Sequence, residues 1–173
     1  DFGAAGVVCP MVNTAEDAER LVSYLKFPPV GARSWGPRRA LPISGLAPAD
    51  YLRQANDLIF AFAMIETRQA LDNLDAILAT NGIDGVFVGP VDLSVSLSGG
   101  ERLDSEMVQP ALTEVARKAR EHGKVAGIFA TSAENAIECH RAGFGFVALA
   151  QDAMFMTQAA NAAVARVREV AGS

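Results

Sequence analysis

Cysteine is scarce in this chain of 173 residues: only Cys9 and Cys139 occur, far apart. Two such residues build neither a disulfide framework nor a Cys-rich zinc site. Each lies in apolar or helical sequence, so both are expected to be reduced, buried thiols. Long hydrophobic runs are also missing. No uninterrupted apolar stretch approaches the roughly 20 residues of a membrane helix, and no charged-then-apolar leader opens the chain, so the expected compartment is cytoplasmic, with no membrane partner. Positive charge is in deficit, with 15 Lys and Arg against 20 Asp and Glu for a net charge of −5. That balance argues against a nucleic-acid partner. Glycine is present, yet Gly3, Gly6, Gly99 and Gly100 form no Gly-x-Gly-x-x-Gly turn between a strand and a helix, so a dinucleotide site has no support.

What is there is apolar and periodic. Hydrophobic residues make up 50% of the chain, enough for one globular domain with a sizeable core. Gly6 to Pro10 reads as a short buried strand, and Asn13 and Thr14 offer caps for a helix through Val22. Lys26 to Ala49 is rich in Pro, Gly and Arg and predicts a long loop with one short extended piece. A helix over Pro48 to Asp57 leads into a strand at Ile59, and Thr67 caps a helix whose Leu71, Leu74, Ile77 and Leu78 share a face. Gly85 to Val88 is a strand, Glu106 to His122 an amphipathic helix stopped by Gly123, and Lys124 to Phe129 a strand. Ser132 to Ala142, Phe144 to Leu149 and Met154 to Val170 follow as helix, strand and helix. Strict alternation of strand and helix predicts a parallel sheet with helices outside it. No internal boundary or repeat is visible, so residues 1–173 are expected to form a single domain.

Two acidic side chains stand out against this background. The run Ile59 to Ile65 carries no charge and ends abruptly at Glu66, and the run Gly85 to Val88 is stopped by Gly89-Pro90, with Asp92 just beyond. The two carboxylates lie 26 residues apart, about one strand–helix–strand step. Adjacent parallel strands would bring both to the rim where α/β folds place ligands. Carboxylates gathered there repel unless a cation lies between them, and magnesium or manganese accepts two of them plus water and substrate oxygens. From spacing alone, Glu66 serves equally well as a favourable charge at a helix N-terminus, and Asp92 or Ser94 as an N-cap.

The segments Val8-Cys9-Pro10-Met11-Val12, Phe27 to Gly36, Met64-Ile65-Glu66-Thr67 and Gly89 to Ser94 resemble the HpcH/HpaI family of metal-dependent pyruvate aldolases over essentially the whole chain. The resemblance implies a TIM-type (β/α) barrel, of which this chain holds about five of eight strand–helix units, the C-terminal two-thirds. It implies cleavage of 4-hydroxy-2-oxo acids to pyruvate and an aldehyde through a metal-stabilised enolate. Glu66 and Asp92 would bind a divalent ion (magnesium, manganese or cobalt), the backbone at Val91 and Asp92 would meet the pyruvate carboxylate, and Phe129 would line the pocket. The family's arginine and histidine fall in N-terminal sequence that has no counterpart here, so no catalytic side chain is assigned within the chain. Met64 stands where many relatives carry glutamine. A homo-oligomer is implied as well.

The only lysines are Lys26, Lys118 and Lys124, of which only Lys124 is expected near a strand, at its beginning, so a Schiff-base mechanism is disfavoured. The basic stretch with Arg33, Arg38 and Arg39 is either a solvated loop or a carboxylate contact. His122 and His140 sit where a cation complements a helix C-terminus, and Met154-Phe155-Met156 reads as packing or a subunit contact. Leu97 to Gly100 reads as a mobile connection beside the site. Two rival readings stay open: a barrel fragment with only a binding or assembly role, and a decarboxylase or other carbon–carbon lyase on the same scaffold.

Overall fold

The computed structural model describes residues 1–101 and 106–172. In chain order it contains β1 (Gly6–Cys9), α1 (Ala15–Leu25), α2 (Ala40–Ser44), α3 (Pro48–Leu58), β2 (Phe60–Ile65), α4 (Arg68–Asp72), α5 (Leu74–Ala79) and β3 (Gly85–Val88). There follow α6 (Pro90–Ser98), α7 (Gln109–Glu121), β4 (Val125–Ala130), α8 (Ala133–Arg141), β5 (Phe146–Leu149) and α9 (Asp152–Ala171). The five strands form one parallel sheet in the order β1-β2-β3-β4-β5. Successive strands are neighbours throughout, and right-handed crossovers then put the helices that connect them on the same face. The other face is left to curl on itself, and the result is a half-barrel, an incomplete TIM-type α/β fold.

The two faces differ as that topology requires. Ala61, Ala63, Ile65, Val86, Val88, Ala126 and Ile128 point into the helix layer and pack with Leu21, Leu74, Ile77, Val115 and Ala119 in the main core. The alternate residues line the concave face, where Phe62 lies 5.4 Å from Phe146 and Phe87 lies 5.6 Å from Phe146, ring centre to ring centre. Phe62 of β2 thus meets Phe146 of β5 across two intervening strands, which only a strongly curled sheet permits. Glycines make the room: a Cβ on Gly127 would come within 2.7 Å of Phe87, and one on Gly85 within 2.5 Å of Phe62 and 2.4 Å of the Val125 carbonyl oxygen. Large rings over small residues are how a barrel interior fills.

Several local expectations need correction. The long segment after Lys26 holds a short helix, α2, not an extended piece. The helix expected from Thr67 onward is broken at Asn73, which ends α4 and begins α5 while its side-chain amide donates to the Asn13 carbonyl at 2.8 Å. Leu97 and Ser98 belong to α6, and only Gly99, in the left-handed region at φ 71°, ends it. Cys139 is buried, but Cys9 is only half-buried, and both thiols are free.

Lys26 also departs from expectation, because it too lies beneath strands. Only 2% exposed, it donates to Asn56 O at 2.7 Å, to Ile59 O at 2.5 Å and to Asp84 Oδ2 at 2.8 Å, tying α1 to the amino ends of β2 and β3. Arg33 belongs to the same amino end. Its guanidinium stacks on Phe27 at 4.4 Å and pairs with Asp1 at 2.6 Å, so it braces the loop and does not face the rim that carries Glu66.

Candidate metal centre

Glu66 follows the last residue of β2 and is 5% exposed. The pleat that turns Phe62 and Met64 to the concave face turns Glu66 the same way. One of its oxygens, Oε1, accepts the Met11 N–H at 2.7 Å from the loop after β1. Met11 holds a left-handed backbone at φ 56° to present that amide, a conformation uncommon for a non-glycine residue and typical of sites where geometry is over-determined. The second oxygen, Oε2, lies beside Gly89 at the end of β3, where a Cβ would sit 3.2 Å from it. A missing side chain therefore makes the recess into which this oxygen reaches.

Asp92 is in the first turn of α6, exposed, and three residues past Gly89. The N-cap of α6 is Gly89, with Pro90 at the first helical position, so neither Asp92 nor Ser94 caps it; the buried Ser94 hydroxyl instead donates to Val91 O at 2.8 Å. The first intrahelical bond runs from Leu93 N–H to Gly89 O at 2.9 Å. The amides of Val91 and Asp92 lie ahead of it, without intrahelical acceptors and at the positive end of the helix. Such amides suit a carboxylate or phosphate. Pairing of Ile65 with Val88 sets β2 and β3 in register, so Glu66 and this helix start share one rim.

Phe129 is half-buried near the end of β4, opposite Ala148 of β5, and on the concave face by alternation from Gly127. Phe129 and Val91 also border a cavity of ≈ 340 Å³ between α7 and α8, which neither Glu66 nor Asp92 lines. Burial, and then the charges of Asp17 and Glu66, raise the Cys9 thiol above its ordinary pKa, which keeps it protonated and inert. Each lysine is engaged away from the rim: Lys26 as above, Lys118 with Asp75 at 2.7 Å, and Lys124 with the Ile83 carbonyl at 2.7 Å. His122 pairs with the same Asp75 at 3.2 Å.

Among the described residues no group of three or more His, Cys, Asp or Glu side chains gathers to hold a metal. A cysteine- or histidine-rich zinc site is thus not represented there. Carboxylate oxygens are hard donors of the kind that divalent ions accept.

The family model for HpcH/HpaI aldolase/citrate lyase matches residues 1–159. The chain belongs to the HpcH/HpaI aldolase/citrate lyase family. Among the relatives in this family, a hydroxypyruvate/pyruvate aldolase of Rhizorhabdus wittichii is 42% identical over 170 residues, 97% of this chain and 66% of that protein. A 2-keto-3-deoxy-L-rhamnonate aldolase of Klebsiella pneumoniae is 41% identical over 159 residues, 92% of this chain and 60% of that protein. The crystal structure of an HpcH/HpaI aldolase from Desulfitobacterium hafniense superimposes with a TM-score of 0.86 at 29% identity, over 96% of this chain and 65% of that one. The chain thus spans slightly under two-thirds of the length of the relatives it matches.

Glu66, Asp92, Val91 and Phe129 stand out in the sequence, whereas Met11 and the space beside Gly89 do not. Met11 acts through its backbone, and no side-chain type signals that. In the sequence Gly89 is a strand terminator; in three dimensions it lies beside the carboxylate of the neighbouring strand and opens a recess for it.

Proposed function

We propose that this chain carries the metal-binding rim of a divalent-metal-dependent aldolase that cleaves 4-hydroxy-2-oxo acids to pyruvate and an aldehyde, corresponding to the C-terminal two-thirds of a (β/α)8 barrel. The observation that carries this reading is the setting of Glu66: a buried carboxylate with one oxygen held by the Met11 amide and the other in the Gly89 recess, on the rim where Asp92 lies in the first turn of α6. Relatives named for hydroxypyruvate/pyruvate and for 2-keto-3-deoxy-L-rhamnonate support a 2-oxo acid as the substrate class.

Glu66 and Asp92 would hold the ion, with magnesium, manganese or cobalt as candidates. A divalent ion supplies Lewis-acid chemistry, polarising a keto oxygen and offsetting the negative charge that develops there. The chain's own groups do the rest. The Val91 and Asp92 amides orient the pyruvate carboxylate, the Met11 amide keeps Glu66 aimed, and Phe129 excludes water from the concave side. No described lysine stands at the rim to form a Schiff base, in keeping with this division of labour.

The test is manganese(II) binding to this chain by titration calorimetry, with pyruvate release from a 4-hydroxy-2-oxo acid by a longer parent protein followed in parallel. Glu66→Gln and Asp92→Asn are each expected to weaken manganese binding by about 100-fold, and a chelator to stop pyruvate release. Release that survives chelation overturns the reading.

A further inference from the structure

The residue after Thr67 has no part in the scheme above, yet it joins the two segments that carry the acids. Arg68 opens α4, two residues beyond Glu66. Its backbone N–H donates to Ser96 Oγ at 3.0 Å, and its guanidinium Nη2 donates to the Leu97 carbonyl at 3.2 Å. Both acceptors are in the last turn of α6, the helix whose first turn holds Asp92. Carbonyls at a helix C-terminus lack intrahelical donors and carry partial negative charge, so a guanidinium there is doubly suited.

On its other side, the same three-residue segment is tied to the loop after β1. Met11 N–H holds Glu66, and Thr67 Oγ1 donates to Asn13 Oδ1. Asn13 is itself fixed by its side-chain amide on Met11 O at 3.2 Å and by Asn73 on its carbonyl at 2.8 Å. The Glu66 side is therefore anchored to the sheet, whereas α6 has only a short apolar contact face, with Leu93 and Ser94 its buried residues. Rotation of α6 about its start would swing Asp92 relative to Glu66, and the far end of the helix is where Arg68 grips it.

The geometry points to Arg68 as a positioning residue that, through Ser96 and Leu97, sets the angle of α6 and hence the separation of the Asp92 and Glu66 carboxylates. It touches neither ion nor substrate. This inference rests on the metal reading given above and adds the residue that tunes it. Partners that orient metal ligands commonly change affinity by 10–100-fold when removed.

Manganese(II) titration calorimetry on the full 173-residue chain tests it, with thermal melting measured alongside. Arg68→Met is expected to weaken manganese binding about tenfold while Glu66→Gln weakens it about 100-fold. Arg68→Lys, which keeps a cation within reach of the Leu97 carbonyl, is expected to recover most of the loss, and Ser96→Ala to reproduce part of it. A merely structural arginine would lower the melting temperature without this affinity pattern. Manganese affinity unchanged in both Arg68→Met and Ser96→Ala, with Glu66→Gln still weakening binding strongly, overturns the positioning role and leaves the metal site standing. Binding indifferent to Glu66→Gln overturns both.

Discussion

At the scale of single residues, the candidate site is a matter of space as much as charge. Gly89 has an ordinary extended backbone at φ −96°, so no torsional demand requires glycine there. The requirement is steric: a Cβ would lie 2.7 Å from the Met64 methyl and 3.2 Å from Glu66 Oε2. The methyl is the far end of a flexible side chain and can move at small cost. The carboxylate cannot follow without losing the Met11 amide. Gly89→Ala is therefore expected to lower manganese affinity by roughly tenfold or more with little change in melting temperature, as calorimetry paired with a melt would show; unaltered affinity would mean the recess is incidental. Glu66 stands out in the sequence because it breaks an apolar run with a charge, and Asp92 because it follows the Gly-Pro stop of the next run. Met11 was not, since the bond that matters spans 55 residues and uses only the backbone.

At the scale of elements, the strands were legible because each is an uncharged run bounded by Gly, Pro or a cap, and α1 because Thr14 and Asp17 form a capping box. The helix α6 was not. Its Pro-Val-Asp-Leu-Ser-Val-Ser-Leu-Ser composition spreads apolar residues around the axis and inserts serines, which compete for backbone hydrogen bonds and read as a turn. Nor was the role of Lys26, whose three acceptors lie 30 to 58 residues away. Those bonds make Lys26 the joint between α1, β2 and β3: the Asp84 oxygen it pairs with also accepts the Ala61 N–H at 2.7 Å. Lys26→Met conserves the stem but strips the donor from two carbonyls and a carboxylate. A loss of about 3 kcal/mol in unfolding free energy is expected, measured by urea denaturation. The Asp84 side chain remains 31% exposed, which holds the loss below that of a fully buried pair. A change under about 0.5 kcal/mol, the usual range for surface substitutions, would show that the joint carries no load.

At the scale of the whole molecule, alternation of strand and helix revealed a parallel sheet, and the curl followed from aromatic rings and glycines only once their positions in three dimensions were known. The sheet stays open. Strand β1 is paired only with β2, and β5 only with β4, among the described residues. On the concave face Phe60 and Phe146 are 45% and 39% exposed, while α9 buries none of its 20 residues and presents Phe155, Met156, Val164, Val167 and Val170. Two unpaired parallel edges and an apolar helix face are surfaces that monomers in solution avoid. An eight-stranded barrel removes such edges by closure; five strands do not, so another surface must cover them. The purified chain is accordingly expected to associate with itself, giving a light-scattering mass at least twice that of the monomer at about 10 μM, a concentration at which exposed edges drive association. A monodisperse, cooperatively folding monomer under those conditions would mean that the edges are protected by their own side chains and that the half-barrel is a self-sufficient unit.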